Sequence, residues 1–236
     1  MVPTSDGGFK KLVRSGVPHR PWHPRRIGTF ILVTVDHSRV LPSGWRYRHT
    51  ALAVCTVAYF ATRVEPIVVS PLIPDIAAAL DASRLAIGTA MTGFWAAYAL
   101  VQLPSGLLAG RLGERHVALA ALTAAAVGSL ALAAAPTMVA FAVVVVLLGG
   151  GVGLYYNVGV FILSDQFEGT GRAIGIHLLR SQAAGLLVPV VAVVVGARYG
   201  WRVALGLGFV AAVPASALVA VSIRSTRPPD PPSLRE

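Results

Sequence analysis

"HVALAALTAAAVGSLALAAAPTMVAFAVVVVLLGGGVGLYYNVGVFILS" occupies positions 116 to 164 and has no Asp, Glu, Lys or Arg in 49 residues. About 20 apolar residues cross the roughly 30 Å hydrocarbon core of a bilayer. The stretch therefore holds two crossings, and Ala135-Pro136-Thr137 supplies a tight hairpin between them. A soluble protein would need polar residues on the outer faces of such helices, and these have almost none. The runs do not alternate polar and apolar residues, which argues against a β-barrel.

The same pattern extends outward. Leu85 to Gly110 is free of those four residue types for 26 positions, and Val203 to Ile223 for 21. Only 13% of the 236 residues are charged, against about 25% in soluble domains. The mean hydropathy is +0.69. The fold class expected is all-α: a polytopic membrane protein with six transmembrane helices. Spans are expected at about 51–73, 86–109, 116–135, 138–163, 173–197 and 203–223. Residues 50–223 form the membrane domain. Residues 1–49 read as an irregular basic N-terminal tail and residues 224–236 as a Pro-rich, charged C-terminal tail, both disordered.

Charge sets the orientation. The net charge is +10, and residues 1–49 hold nine of the 20 Lys and Arg with two acids, Asp6 and Asp36. A basic tail beside a membrane helix reads as a cytoplasmic segment near anionic lipid rather than a nucleic-acid arm. Both termini are then cytoplasmic in a multi-pass protein of the plasma membrane, with the Arg198–Arg202 turn outside. Cys55 is the single cysteine, which excludes an intramolecular disulfide. No His, Cys, Asp or Glu set has metal-ligand spacing. There is no triad or acid pair placed for hydrolysis, so neither an enzyme nor a cofactor is expected.

The chain repeats itself. Arg111-Leu-Gly-Glu-Arg-His-Val-Ala-Leu119 is similar to Arg198-Tyr-Gly-Trp-Arg-Val-Ala-Leu205 with one residue deleted. Asp75 precedes Arg84-Leu-Ala-Ile-Gly88 as Asp165 precedes Arg172-Ala-Ile-Gly175. The offsets cluster at 86–90. Spans 1–3 would match spans 4–6, and because three is odd the second copy enters the membrane from the opposite side. This is an inverted 3+3 repeat.

"SGLLAGRLGERH", Ser105 to His116, closes the second span. It lacks the Lys of a phosphate-binding P-loop and the spacing of a dinucleotide loop. Gly106 and Gly110 are four apart, share a helix face, and are expected to allow close packing against a neighbour. Gly113 permits the reversal, and Arg111 and Arg115 stand at the headgroups. This stretch resembles the loop between the second and third helices of the major facilitator superfamily, roughly G-x-L-a-D-r-x-G-r-[rk]. Gly106, Leu108, Ala109, Arg111, Gly113 and Arg115 match, while Gly110 sits where the family has Asp. "SPLIPDI", "GRAIGIH" and "YGWR" are also similar to the family, over about residues 50–223. The resemblance implies the N-terminal six-helix half of a fold that usually has twelve spans. In the family the aspartate helps lock the outward-facing state through charge contacts between the halves.

Charges inside spans point to function. Arg63 and Glu65 lie in span 1 before Pro66; two apart, they face different sides. A carboxyl at Glu65 could exchange a proton reversibly, suiting ion coupling. In span 5, His177, Arg180, Ser181 and Ala184 follow i, i+3, i+4, i+7. Arg180 could bind an anionic group of a solute or the carboxylate of span 1. Asn157 of span 4 could line a cavity, as could Trp95, Tyr98 and Gln102 of span 2. Gly149, Gly150, Gly151 and Gly153 serve helix packing. The expected activity is secondary transport of a small solute by alternating access, ion-coupled, in the lipid bilayer. It would need a second six-helix half, from another copy or a separate chain. The alternative is a non-transporting interaction or truncated membrane protein.

Overall fold

The structure, a computed structural model, describes residues 43–167 and 170–224. The expected basic tail over 1–42 and the C-terminal segment from 225 onward lie outside the described residues. All regular structure among the described residues is helical. Among the described residues six helices are long and apolar enough to cross a membrane: span 1, Tyr47–Ala79; span 2, Arg84–Leu112; span 3, Glu114–Ala134; span 4, Met138–Gln166; span 5, Ala173–Tyr199; span 6, Trp201–Ser222. The first helix begins at Ser43, inside the stretch read from sequence as an irregular tail.

The reversals are where turn chemistry placed them. Asp81 takes φ 48° between spans 1 and 2, a left-handed conformation that Asp tolerates better than most residues. Thr137 caps span 4 by accepting from the Ala140 amide at 3.2 Å. Span 2 passes into span 3 through Gly113 alone, at φ 84°, and span 5 into span 6 through Gly200 alone, at φ 87°. The Gly113 amide bonds the Ala109 carbonyl and the Gly200 amide bonds that of Gly196, both at 2.9 Å. The two turns lie 87 positions apart and share one backbone pattern.

Packing carries the same symmetry. Span 2 packs on span 4 as span 5 packs on span 1, and span 3 packs on span 4 as span 6 packs on span 1. Spans 3 and 6 pack on each other. Their contact includes a reciprocal clamp. Arg115, in the first turn of span 3, donates to the Ala220 carbonyl near the end of span 6. Arg202, in the first turn of span 6, donates to the Ala133 and Ala135 carbonyls at the end of span 3, at 2.9 and 3.1 Å. The two arginines are 87 positions apart, as are Ala133 and Ala220. Each guanidinium supplies donors to helix-end carbonyls that lack intrahelical partners, and each places a cation where the helix dipole favours one.

The expected role of Gly106 and Gly110 in close packing is corrected. A Cβ at Gly110 would meet nothing within 4 Å, and one at Gly106 would meet only the Phe161 ring at 3.5 Å, an ordinary contact. Sequence spacing puts both on one face but cannot say whether a helix lies there. The close crossing is made by span 4. A Cβ at Gly149 would strike the Phe94 backbone of span 2, its Cα at 2.9 Å, and one at Gly153 would lie 2.7 Å from the Tyr98 carbonyl oxygen. The packing role read for the span 4 glycines holds at Gly149, Gly153 and Gly151, where a Cβ would collide with that of Ala124, but not at Gly150, where it would make only an ordinary contact with Val101 at 3.6 Å.

Candidate functional site

Span 1 is the most buried of the six, and between Ala51 and Ser70 its half-buried or exposed residues form a stripe: Ala53, Thr56, Val57, Phe60, Arg63, Ile67 and Ser70. Spans 2 and 5 flank it and are the least buried. Arg63 and Glu65 leave span 1 in different directions, as their two-residue spacing requires.

Glu65 turns into the bundle and is 1% exposed. Its Oε1 is hydrogen-bonded to Ser129 Oγ of span 3, and it fits there because Gly208 of span 6 has no side chain. A Cβ at that glycine would collide with the carboxyl and come within 2.6 Å of Ser129 Oγ. Glu65 Oε2 is buried and has no hydrogen-bond partner. It borders a small apolar recess with Pro66, Val69, Phe94, Leu132 and Leu148.

Ser129 does a second job. Span 6 is interrupted at Gly206, between helices Trp201–Leu205 and Leu207–Ser222. The Ser129 hydroxyl bridges that joint, donating to the Leu205 carbonyl at 2.7 Å and accepting from the Phe209 amide at 2.9 Å. A hydroxyl has one hydrogen to donate. With that hydrogen on Leu205, the bond to Glu65 needs a proton on the carboxyl. With Glu65 ionised, the serine hydrogen must turn to the carboxylate and leave Leu205. One proton on Glu65 thus decides how the joint in span 6 is held.

Arg63 points the other way. Its guanidinium carbon lies 5.3 Å from the centre of the Trp95 ring of span 2, and its Nε is buried without a hydrogen-bond partner. Trp95 meets Tyr98 edge-on at 5.5 Å, which fits the shared face expected for them. Tyr59 of span 1, not singled out by sequence reasoning, contacts Tyr156 at 5.9 Å and His177 at 5.2 Å.

The other sequence candidates are placed as follows. The Asn157 amide nitrogen donates to the Gln102 carbonyl at 2.6 Å and to Ser105 Oγ at 2.9 Å. It ties span 4 to span 2 beside Pro104, where a helix lacks an amide donor. His177, Ser181 and Ala184 are buried whereas Arg180, on the same helix, is exposed, so the expected polar face divides in two. His177 Nδ1 lies 3.3 Å from Thr56 Oγ1. No ion pair joins Arg180 to Glu65; the carboxyl is turned to spans 3 and 6. Gly106, Gly110, Arg111, Gly113 and Arg115 lie together at the end of span 2 and the start of span 3. Gly110 and Arg111 are exposed there, and Arg115 belongs to the clamp. Tyr47 and Arg224 meet, with the Arg224 amide 3.2 Å from the Tyr47 hydroxyl, so span 1 begins and span 6 ends at one side of the bundle.

Sequence reasoning missed Ser129 and Gly208. The only signal for Ser129 was a hydroxyl in an Ala-rich helix, one of two there with Thr123, and Gly208 is one of 24 glycines.

Six apolar helices in a three-helix repeat, with charged side chains at mid-span, define a multi-pass α-helical membrane protein of the transporter type. Residues 52–236 match the family described as Major Facilitator Superfamily. The chain belongs to that superfamily, a family of transporters. No curated protein matches the chain.

Proposed function

We propose that this six-helix unit is one half of a secondary transporter that moves a small solute by alternating access, driven by protons. A second six-helix unit, another copy or a separate chain, would close over the uncovered stripe of span 1. The observation that carries this reading is Glu65: a fully enclosed carboxyl near mid-span whose proton, through Ser129 of span 3, bears on the helix joint in span 6. Charges at such depth cost about 2.5–3.5 kcal/mol on insertion scales and mark ion or solute pathways by default. We place the protein in the plasma membrane with both termini cytoplasmic, since Arg111, Arg115 and Arg224 lie at the end of the bundle where span 1 begins, and residues 1–49 carry nine Lys and Arg. Arg180, exposed on span 5, would meet solute at the cytoplasmic mouth, and Asn157 would hold spans 2 and 4 while the unit rocks.

The test is uptake into proteoliposomes holding the full chain, with an imposed inward proton gradient and a panel of labelled sugars, amino acids and organic acids. Gradient-driven accumulation of a panel member is expected. Glu65→Gln should lose accumulation yet retain solute exchange. A chain that stays monomeric and moves none of the panel would refute the proposal. The second reading, a non-transporting interaction subunit, draws on Gly110, where the family has aspartate.

A further inference from the structure

Arg63 stands midway between Tyr47 and Ala79, the ends of span 1, about 24 Å from either end at 1.5 Å per residue. The helix outruns the roughly 30 Å hydrocarbon core, so a residue at its middle lies about 15 Å from either headgroup layer, still farther than an arginine side chain extends, and snorkelling does not account for it. No acid among the described residues pairs with it: Glu65 is turned away to Ser129, and the buried Arg63 Nε has no hydrogen-bond partner. On one side lie the rings of Trp95 and Tyr98. Tyr98 reaches the side chain of Tyr59, which leads on to Tyr156 and His177. Arg63, Tyr98 and Tyr156 are half-buried and Trp95 is 41% exposed. The row opens on the uncovered stripe of span 1.

We propose that this row binds a monoanionic organic acid with a planar, aromatic body. A lone guanidinium offers a bidentate fork to a carboxylate. The single positive charge and largely apolar walls fit one negative charge rather than two. The neighbouring ring faces take up a flat apolar body by stacking. A cation would find the same rings but be repelled by Arg63. A second copy of the chain, packed by the same stripe across a two-fold axis, would bring another Arg63, and a carboxylate on the solute would answer that charge. The inference rests on the transport reading, whose solute class it names, but it can fail separately.

The experiment is calorimetric titration of naphthalene-2-carboxylate into the full chain in phosphatidylcholine nanodiscs, with empty discs subtracted. A naphthylmethyl-trimethylammonium salt is the cationic counterpart with the same ring. Saturable binding of the acid and none of the cation is expected. Arg63→Gln should weaken the acid by roughly tenfold or more, with Arg63→Lys in between. Trp95→Leu, whose side chain is exposed at the edge of the row, should weaken it several-fold while leaving Cys55 as protected from thiol labelling as in the parent. Absence of saturable acid binding overturns the proposal, as does cation binding of equal strength, or acid binding unchanged in both Arg63→Gln and Trp95→Leu. Anion binding without uptake of any solute would sink the transport reading and spare this one. Uptake of a neutral or cationic solute without acid binding would do the reverse.

Discussion

Replacing Gly149 or Gly153 by alanine should loosen the contact between spans 2 and 4. An added Cβ at Gly149 would sit 2.9 Å from Phe94 Cα, and one at Gly153 would sit 3.0 Å from Tyr98 Cα. Carbon atoms in contact rest about 3.5–4.0 Å apart, so the helices must part by roughly 0.5–1 Å, a gap that forfeits a quarter to a half of each contact's attraction. The obstacle is backbone, which cannot rotate aside. Overpacking costs about 1–3 kcal/mol, and alanine returns up to about 1 kcal/mol of helix propensity. The net loss, up to about 2 kcal/mol, raises the unfolded population by as much as roughly 30-fold. Cys55 reports it, being the chain's single cysteine and buried: a thiol-reactive dye labels it only when the bundle opens. Gly110→Ala is the control, with nothing within 4 Å of the new methyl, and should label no faster than the parent. Labelling of Gly149→Ala and Gly153→Ala at the parental rate would refute the close crossing.

Gly110→Leu and Gly110→Asp should both fold as the parent does, judged by the same labelling, because the position is open. Arg115→Ala and Arg202→Ala should each accelerate labelling modestly, by the ~0.3–1 kcal/mol of a cation at a helix end. They act at opposite ends of the bundle, so the double variant should show the product of the two effects. Ser129→Ala should destabilise by about 1–3 kcal/mol, since it strips a partner from a buried carboxyl and from the Phe209 amide; a thermal midpoint equal to the parent's would count against the bridge. In a Cys55→Ser background, a cysteine at position 199 should react with an impermeant reagent from outside intact cells, and reaction only after permeabilisation would overturn the assigned orientation.

The spans were legible because bilayer thickness writes itself into the length of uncharged runs, and Gly113 and Gly200 because a one-residue reversal needs positive φ. The repeat was legible in Arg111 and Arg198, although its strongest members proved to be Arg115 and Arg202, which only the fold brings against the opposite helix ends. Arg63 and Glu65 stood out as rare charges in an apolar field. What they touch was not readable: Ser129 and Gly208 are separated from Glu65 by whole spans, and small residues carry no pattern that names a distant neighbour. Gly106 and Gly110 failed as packing glycines for the same reason. Spacing defines a face, but only the arrangement of helices decides what stands opposite it.

The clamp also sets an order of events during synthesis. The carbonyls of Ala133 and Ala135 are complete only when Arg202 arrives, 69 and 67 residues later, and Ala220 turns back to an arginine made 105 residues before it. Three spans can enter the bilayer one after another, but the end of the third stays open until the sixth begins. Closure of that helix end therefore waits for the last span. A nascent chain halted before Arg202 would leave the carbonyls at the end of span 3 exposed to whatever donor the membrane surface or the insertion machinery supplies.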